Sequence, residues 1–227
     1  METEFIYWRH PTAPGIKVEE VSGADDRSGN LWLQMAKQVY CENGKDGFRQ
    51  IGHYRNGSPF LEGEDCRISV THTDHLLAVA TLPRTPESDL RVFSPRTAMG
   101  IDAERTDREQ VLGLRERFLN SAELECIPSE NTEANILAWT IKEAAYKAAL
   151  CPGLDFRSAI RIKRMPRINE AVAGKEAGGY GLVEVDRKEE GTFEFELFSW
   201  LSDECIVTLA YSPTCAKWKG SYAQGKK

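Results

Sequence analysis

Two carboxylates lie in a short alternating segment, Met99-Gly100-Ile101-Asp102-Ala103-Glu104. In an extended strand successive side chains point to opposite faces, so Asp102 and Glu104 share one face and their apolar neighbours share the other. Buried anions this close need a compensating cation, because they otherwise take up protons. The pair therefore predicts a magnesium site if its face is buried, and a solvated strand end if that face is exposed.

A second group of polar residues recurs at intervals of four. Trp139, Glu143 and Lys147 stack along one line of a helix, with Lys142 and Tyr146 beside them. A surface ion pair between Glu143 and Lys147 is the simplest interpretation of this line. The tryptophan argues against it, because a wholly solvated stripe seldom contains one. The line is therefore also a candidate site, supplying an acid and two cations.

The helix that carries this line is predicted over residues 132–150. Asn131 is a candidate N-cap, and Glu133 in the first turn suits the positive end of the helix dipole. The opposite face is small and apolar, which predicts close packing against a sheet. Its members are Ala134, Leu137, Ala138, Ile141, Ala144, Ala145 and Ala148.

The first part of the chain is predicted to contain a helix over 31–40 and a β-hairpin. The hairpin joins strands 67–71 and 76–81 around Thr73-Asp74. Residues 82–95 contain several prolines and read as a connection, which divides the chain into halves at 1–95 and 96–227. Ser202-Asp203 with the apolar run after it resembles this hairpin turn, so two related halves are one interpretation and a generic hairpin is the other.

The second part is predicted to be mixed α+β. Its predicted strands are 98–104, 159–163, 181–186, 192–200 and 204–211, and its predicted helices are 108–118 and 132–150.

Composition limits the class of protein. The 227 residues are 41% hydrophobic and 28% charged, which is typical of soluble globular domains. The net charge of −6 disfavours general nucleic-acid binding. An acidic amino terminus and short apolar runs predict a cytoplasmic protein with no membrane association. The six scattered cysteines form no Cys-x-x-Cys pair, which argues against a zinc ribbon and favours buried thiols.

One local stretch is basic despite the acidic total. It allows two interpretations: an edge strand protected from aggregation by charge, or a dock for an anionic partner or phosphate. Its members are Arg157, Arg161, Lys163, Arg164 and Arg167.

Taken together, the motifs resemble the paired signatures of the 4′-phosphopantetheinyl transferases. The strand motif is Gly100-Ile101-Asp102-Ala103-Glu104, and the helix motif runs from Trp139 to Ala148 as Trp-Thr-Ile-Lys-Glu-Ala-Ala-Tyr-Lys-Ala. Residues 117–123 resemble the family's intervening Phe-x-x-x-Glu segment. Asn56-Gly57-Ser58-Pro59 and residues 68–73 resemble additional motifs of the larger surfactin-synthetase-activator type, although Ser58 replaces the usual lysine.

The resemblance implies a fold and a reaction. The fold is a monomeric pseudo-dimer of two similar α+β halves with the active site at their interface. The reaction moves the phosphopantetheine arm of coenzyme A to a serine of an apo acyl or peptidyl carrier protein, giving holo carrier protein and 3′,5′-ADP. Such carriers serve fatty-acid, polyketide or nonribosomal peptide synthesis.

The resemblance also implies residue roles. Asp102, Glu104 and Glu143 would hold Mg²⁺, and Glu143 would also take the serine proton, directly or through a metal-bound water. The phosphate charge would be stabilised by Lys147 and Lys142. In the first half, His72 would contact the 3′-phosphate of coenzyme A with Thr71 beside it.

Two rival functions remain open at this point. A magnesium-dependent nuclease or phosphoesterase also clusters acids with a lysine around a metal. Its usual lysine lies two residues after an acid on a strand, whereas Lys147 follows Glu143 by four on a helix. A non-catalytic module that binds carrier proteins is the other rival, and it predicts that metal is dispensable.

Overall fold

The computed structural model describes residues 5–9, 16–22, 51–53, 57–61, 66–74, 76–83, 98–168 and 178–212. These residues form two antiparallel sheets and a set of helices, which confirms the predicted mixed α+β class. The helix predicted over 31–40 and the half boundary at residue 95 lie outside these ranges. Within the ranges no helix is both long and apolar enough to span a membrane.

The first sheet contains six strands in the order β1-β2-β6-β5-β4-β3, and every neighbouring pair is antiparallel. The hairpin predicted around Thr73-Asp74 is confirmed, because β5 pairs with β6 across that turn. The strands are β1 (Phe5–Arg9), β2 (Lys17–Ser22), β3 (Ile51–His53), β4 (Pro59–Leu61), β5 (Cys66–His72) and β6 (Leu76–Pro83).

The second sheet contains five antiparallel strands in the order β7-β11-β10-β9-β8. All five predicted strands are confirmed, with ends that differ by up to three residues. They are β7 (Ala98–Arg105), β8 (Ile160–Arg164), β9 (Gly178–Asp186), β10 (Thr192–Ser202) and β11 (Cys205–Ser212).

The two sheets share one strand order. If β2 is counted as the first strand of its sheet, the first sheet runs 1-5-4-3-2 with β1 added at the edge. The second sheet, counted from β7, also runs 1-5-4-3-2. The turn between β5 and β6 therefore corresponds to the turn between β10 and β11, which are the two segments that resemble each other in sequence.

Four α-helices and a 3₁₀ turn lie between β7 and β8. The helix predicted over 108–118 is confirmed only in part: Glu109–Leu114 is 3₁₀, and only Arg115–Phe118 (α1) is α-helical. No side chain caps the start of this segment, and Gly113 in its middle disfavours a regular helix. The remaining helices are α2 (Ser121–Cys126), α3 (Thr132–Ala149) and α4 (Phe156–Ala159).

Helix α3 begins and ends as predicted. The Asn131 side chain accepts a hydrogen bond from the Ala134 backbone N–H at 2.9 Å, and Leu150 ends the helix in the left-handed conformation. The small apolar face packs on β7 and β11, with all of its residues buried except the partly exposed Ala134. A separate apolar cluster joins side chains of the two sheets, among them Val18, Ala78, Ile101 and Leu209.

Candidate active site

Strand β7 directs both of its carboxylates toward helix α3. Asp102 Oδ1 accepts a hydrogen bond from Lys147 Nζ at 2.7 Å, and Glu104 Oε1 accepts one from Trp139 Nε1 at 3.0 Å. The apolar neighbours Met99, Ile101 and Ala103 belong instead to the cluster between the sheets. The alternative of a solvated strand end is wrong for Asp102, which is only 6% exposed.

The Asp102 carboxylate is held by the first sheet and by helix α3, yet one of its oxygens has no partner among the described residues. The Thr71 hydroxyl donates to Oδ1 at 3.3 Å, beside the bond from Lys147. The other oxygen, Oδ2, is buried and accepts no hydrogen bond from the described residues. Burial raises the pKa of Asp102, while the Lys147 ammonium opposes that rise. An unsatisfied buried carboxylate oxygen is a strong acceptor for a cation.

The Lys147 ammonium pairs with strand β7 rather than with Glu143 on its own helix. Its ammonium contacts Asp102 and also donates to the carbonyls of Ile101 at 3.0 Å and Val70 at 3.4 Å. The surface ion pair with Glu143, the simplest interpretation of the sequence, is absent from the ion pairs within the described part of the chain.

Glu104 binds two donors through a single oxygen. Trp139 Nε1 and Arg108 Nη1 both donate to Oε1. Burial and the charge of Asp102 raise the pKa of Glu104, and Arg108 opposes the rise. Trp139 is itself fixed by ring contacts with Phe118 at 5.1 Å and Phe156 at 5.8 Å.

Glu143 is the least restrained of the three acids. No hydrogen bond or ion pair joins its carboxylate to any of the described residues. Burial, followed by the charge of Asp102, raises its pKa from 4.5 to about 7, although Lys147 partly offsets these effects. A carboxylate with a pKa near neutrality can both accept and release a proton at physiological pH.

The three acids form an anionic cluster, but their side chains are not arranged as a complete set of metal ligands. Among the described residues, no group of three or more His, Cys, Asp or Glu side chains is placed to hold one metal ion. The carboxylates are nevertheless close enough for the charge of Asp102 to raise the pKa of both Glu104 and Glu143. Together with the buried, unpartnered Asp102 Oδ2, this excess of negative charge fits a divalent cation.

Lys142 does not belong to this cluster, so its predicted catalytic and phosphate-binding roles are corrected. Its side chain is fully buried, and Nζ donates to Glu123 Oε2 at 2.6 Å and to the carbonyls of Phe156 and Ile160 at 2.9 and 2.8 Å. These three acceptors use all three protons of the ammonium. Burial lowers the pKa of Lys142, and the Glu123 carboxylate opposes that shift.

Glu123 is the partner that sequence reasoning missed. It lies in α2, where Asn120 and Glu123 form a reciprocal capping box, and its Oε1 also accepts the Ile162 backbone N–H at 2.8 Å. The capping-box spacing of Asn120 and Glu123 was a usable signal for α2. Glu123 therefore ties α2, α3 and β8 together.

His72 lies in an open cleft, whereas Thr71 does not line it. The Thr71 hydroxyl is buried between Asp102 and the Ala103 N–H, from which it accepts at 3.0 Å, so it is already satisfied. The predicted contact of Thr71 with a ligand is therefore replaced by a structural role. His72 is exposed at the rim of a cleft of about 450 Å³, which is also lined by Thr73, Asp74, Glu104, Arg105, Asp107, Arg108 and Gln110.

The sequence analysis did not predict that two arginines, Arg105 and Arg108, line this cleft. Arg108 contacts Glu104, and Arg105 binds Asp107 through two hydrogen bonds at 2.8 and 2.6 Å. Their position immediately after the acidic strand motif was the only sequence signal.

The basic stretch lies largely on β8, which is an edge strand of the second sheet. Arg161 binds Glu184 on the neighbouring strand at 2.8 Å, while Lys163 and Arg164 are exposed. The edge-strand position is thus confirmed, and docking of an anionic partner stays a prediction.

Residues 98–207 match the model of the 4′-phosphopantetheinyl transferase superfamily. The match includes both β7 with its two acids and α3 with Glu143 and Lys147. No curated protein matches the chain. The match supports a transferase domain in this part of the chain. Residues 98–207, just under half of the chain, are thus similar to the 4′-phosphopantetheinyl transferase superfamily, the family that the sequence motifs resemble.

Proposed function

We propose that the protein transfers the 4′-phosphopantetheine arm of coenzyme A to a serine of an apo carrier protein, as a holo-[acyl-carrier-protein] synthase. The observation that carries this proposal is the superfamily match over residues 98–207, which contains the acids of β7 and the acid and lysine of α3. The products are holo carrier protein and 3′,5′-ADP. The match supports the class of reaction, and the arrangement of side chains supports the roles below.

Glu143 is the residue best suited to accept the serine proton. In the reaction the serine oxygen forms a bond to the β-phosphorus of coenzyme A, and the bond from that phosphorus to the 3′,5′-ADP oxygen breaks. The hydroxyl proton needs an acceptor that is unprotonated at neutral pH but not strongly paired. Glu143 has a pKa of about 7 and no partner among the described residues, and a bound cation would lower that pKa and keep the carboxylate unprotonated. Transfer through an intervening water is equally compatible.

Asp102, Glu104 and Glu143 would hold Mg²⁺. The ion would neutralise diphosphate charge and orient the phosphate for in-line attack. The protein already contributes a buried, unsatisfied oxygen on Asp102. Lys147, whose side chain is 31% exposed beside Asp102, would contribute a second positive charge to the phosphates.

The open cleft is the proposed entrance for coenzyme A. His72 is exposed in this cleft, which Glu104 also lines, and this position suits contact with the 3′-phosphate. The identical strand order of the two sheets supports the larger, pseudo-dimeric type of the family, in which one monomer supplies both halves. Residues from both sheets contribute to the candidate site, since Thr71 of β5 binds Asp102 of β7.

The carrier protein is proposed to dock on the basic edge formed by β8. The exposed Lys163 and Arg164 complement the acidic surface of carriers in this family. Reversing the charge at Arg161 and Arg164 should weaken carrier binding while leaving coenzyme A binding unchanged. Unchanged carrier affinity would remove this part of the proposal.

The deciding experiment is intact-protein mass spectrometry of apo carriers incubated with the protein, coenzyme A and Mg²⁺. We expect the mass of the phosphopantetheine arm to be added, the reaction to stop when Mg²⁺ is chelated, and Asp102→Ala and Glu143→Gln each to abolish it. Glu133→Gln, which removes an exposed acid from the same helix, is the matched control and should retain transfer.

Each rival function predicts a different result. Carrier binding without transfer, unaffected by chelation, would favour the binding module. Metal-dependent cleavage of DNA with no reaction of coenzyme A would favour the nuclease. Transfer at the normal rate by Glu143→Gln would overturn the assigned proton acceptor.

A further inference from the structure

The side chain of Arg108, which follows strand β7 in the sequence, folds back to contact Glu104 of that strand. The chain turns after β7 at Thr106-Asp107, and the Arg108 backbone N–H donates to the Arg105 carbonyl at 3.2 Å. This turn places Arg108 Nη1 on Glu104 Oε1, four residues back. The contact with Glu104 is the only side-chain hydrogen bond that Arg108 makes to described residues. Arg108 is therefore held at this position by Glu104.

A divalent cation and this arginine compete for one carboxylate. Glu104 Oε1 already accepts from both Trp139 and Arg108, so an ion bound at Glu104 would place two positive charges side by side. Trp139 is packed between Phe118 and Phe156 and has little room to leave. The Arg108 side chain is 39% exposed at the edge of the cleft, so it can withdraw.

We propose that Arg108 is an internal counterion of Glu104, which a divalent cation must displace and which thereby sets the cation affinity of the site. This inference rests on the proposed function, because the ion is the one that the acids of that site would bind. It adds a residue that tunes the site without being a ligand.

Arg105 is a matched control within the same cleft. It carries the same charge and lines the same opening, but both of its hydrogen bonds go to Asp107 rather than Glu104. Removing either arginine makes the cleft more negative by one charge. Only removal of Arg108 frees Glu104. Comparing the two variants therefore separates competition for Glu104 from the effect of the net charge of the cleft.

The test measures Mn²⁺ binding by electron paramagnetic resonance of the free ion, using the full chain without coenzyme A. We expect Arg108→Gln and Arg108→Ala to bind Mn²⁺ at least about tenfold more tightly than the wild type. Arg108→Lys, which keeps the charge, should stay close to the wild type. Arg105→Gln should change the affinity by no more than about threefold. Thermal melts of each variant verify that the fold is retained.

The possible contrary results separate this inference from the proposed function. If Asp102→Asn abolishes Mn²⁺ binding but Arg108→Gln binds no more tightly than Arg105→Gln, the counterion role is overturned and the metal site stands. If Arg108→Gln weakens binding, Arg108 supports the ion instead of competing with it, and the inference is likewise overturned. If no variant binds Mn²⁺, the metal site and the counterion role fail together.

Discussion

At the scale of single residues, the partners of each carboxylate determine what it can do. Asp102 pairs with Lys147 at 2.7 Å, and Glu104 with Arg108, and an adjacent cation favours the charged form of a carboxylate. Glu143 has no such partner among the described residues, and burial raises its pKa to about 7. The cluster therefore combines two carboxylates that have cationic partners with one carboxylate that is suited to proton transfer.

The raised pKa of Glu143 predicts a pH dependence of stability. Between pH 4.5, its ordinary pKa, and about 7, the folded protein keeps a proton that the unfolded chain has released. Stability therefore falls as the pH rises through this window. The glutamine in Glu143→Gln does not titrate, so the variant lacks this pH-dependent loss. The free energy of unfolding of the variant, minus that of the wild type, should therefore be larger at pH 8 than at pH 5. Urea unfolding at both pH values with EDTA present measures this difference.

The control for this prediction is Glu133→Gln, because Glu133 is exposed and lies on the same helix. It should show nearly the same difference from the wild type at both pH values. An equally pH-independent difference for Glu143→Gln would contradict the raised pKa.

At the scale of elements, the close approach of α3 to β7 places Lys147 beside Asp102. Gly100 permits this approach, because a Cβ at this position would lie 2.3 Å from the Ala144 carbonyl oxygen and 2.5 Å from the Ala148 nitrogen. Those atoms belong to the helix backbone and cannot rotate away. The contact between Lys147 and Asp102 therefore depends on Gly100, which takes no part in the chemistry.

Gly100→Ala should push α3 away from the sheet. We expect a loss of stability of about 1–3 kcal/mol, as for other overpacked interiors, together with a larger loss of transfer activity. Gly113→Ala is the matched control, since a Cβ at Gly113 meets nothing within 4 Å, and it should be neutral or slightly stabilising. Urea unfolding and the carrier assay measure the two effects. Equal stability of the two variants would show that the contact is not tight.

The buried pair of Lys142 and Glu123 anchors the other side of α3. Lys142→Met should destabilise the protein by about 3–5 kcal/mol, because it leaves the Glu123 carboxylate buried without its cation. The double variant with Glu123→Leu should recover part of that loss, since no charge is then left unpaired. Urea unfolding of the two variants gives the comparison. If Lys142→Met is as stable as the wild type but inactive, the result would support a catalytic role for Lys142 and contradict the structural one.

At the scale of the whole molecule, the two sheets repeat one arrangement of strands and contact each other in a related way. Hydroxyls of β5, from Ser69 and Thr71, accept backbone N–H groups of β7 at 3.0 Å. On the other side, Trp200 Nε1 of β10 donates to Glu20 of β2 at 2.6 Å. In the shared strand order β5 corresponds to β10 and β7 to β2. This reciprocity supports the proposed pseudo-dimer.

Thr71 tests whether the contact between the sheets also supports the site. Thr71→Val should cost about 1–3 kcal/mol, because the buried Ala103 N–H loses its acceptor while the shape of the side chain is kept. Asp102 loses a hydrogen bond in the same variant. Thr71→Ser keeps the hydroxyl and should remain close to the wild type in urea unfolding. Equal losses in the two variants would point to packing instead of the hydrogen bond.

The local features of the fold follow from the amino-acid sequence without knowledge of tertiary contacts. Alternation and helical spacing predict β7, the hairpin of β5 and β6, and the apolar face of α3, because these periodicities depend only on near neighbours. The two acids of β7 were correctly assigned to one face for the same reason. Even the resemblance between residues 73–81 and 202–210 falls on corresponding strands of the two sheets.

The pairing of charged side chains, in contrast, depends on contacts that form only in the folded protein. Lys142 and Lys147 lie on one helix five residues apart, yet the first is buried against Glu123 of α2 and the second binds Asp102 of β7. Spacing along a helix fixes the direction of a side chain but not what the rest of the chain brings to meet it. The partner of a charge depends on burial and on contacts between segments distant in sequence, and these exist only once the chain has folded.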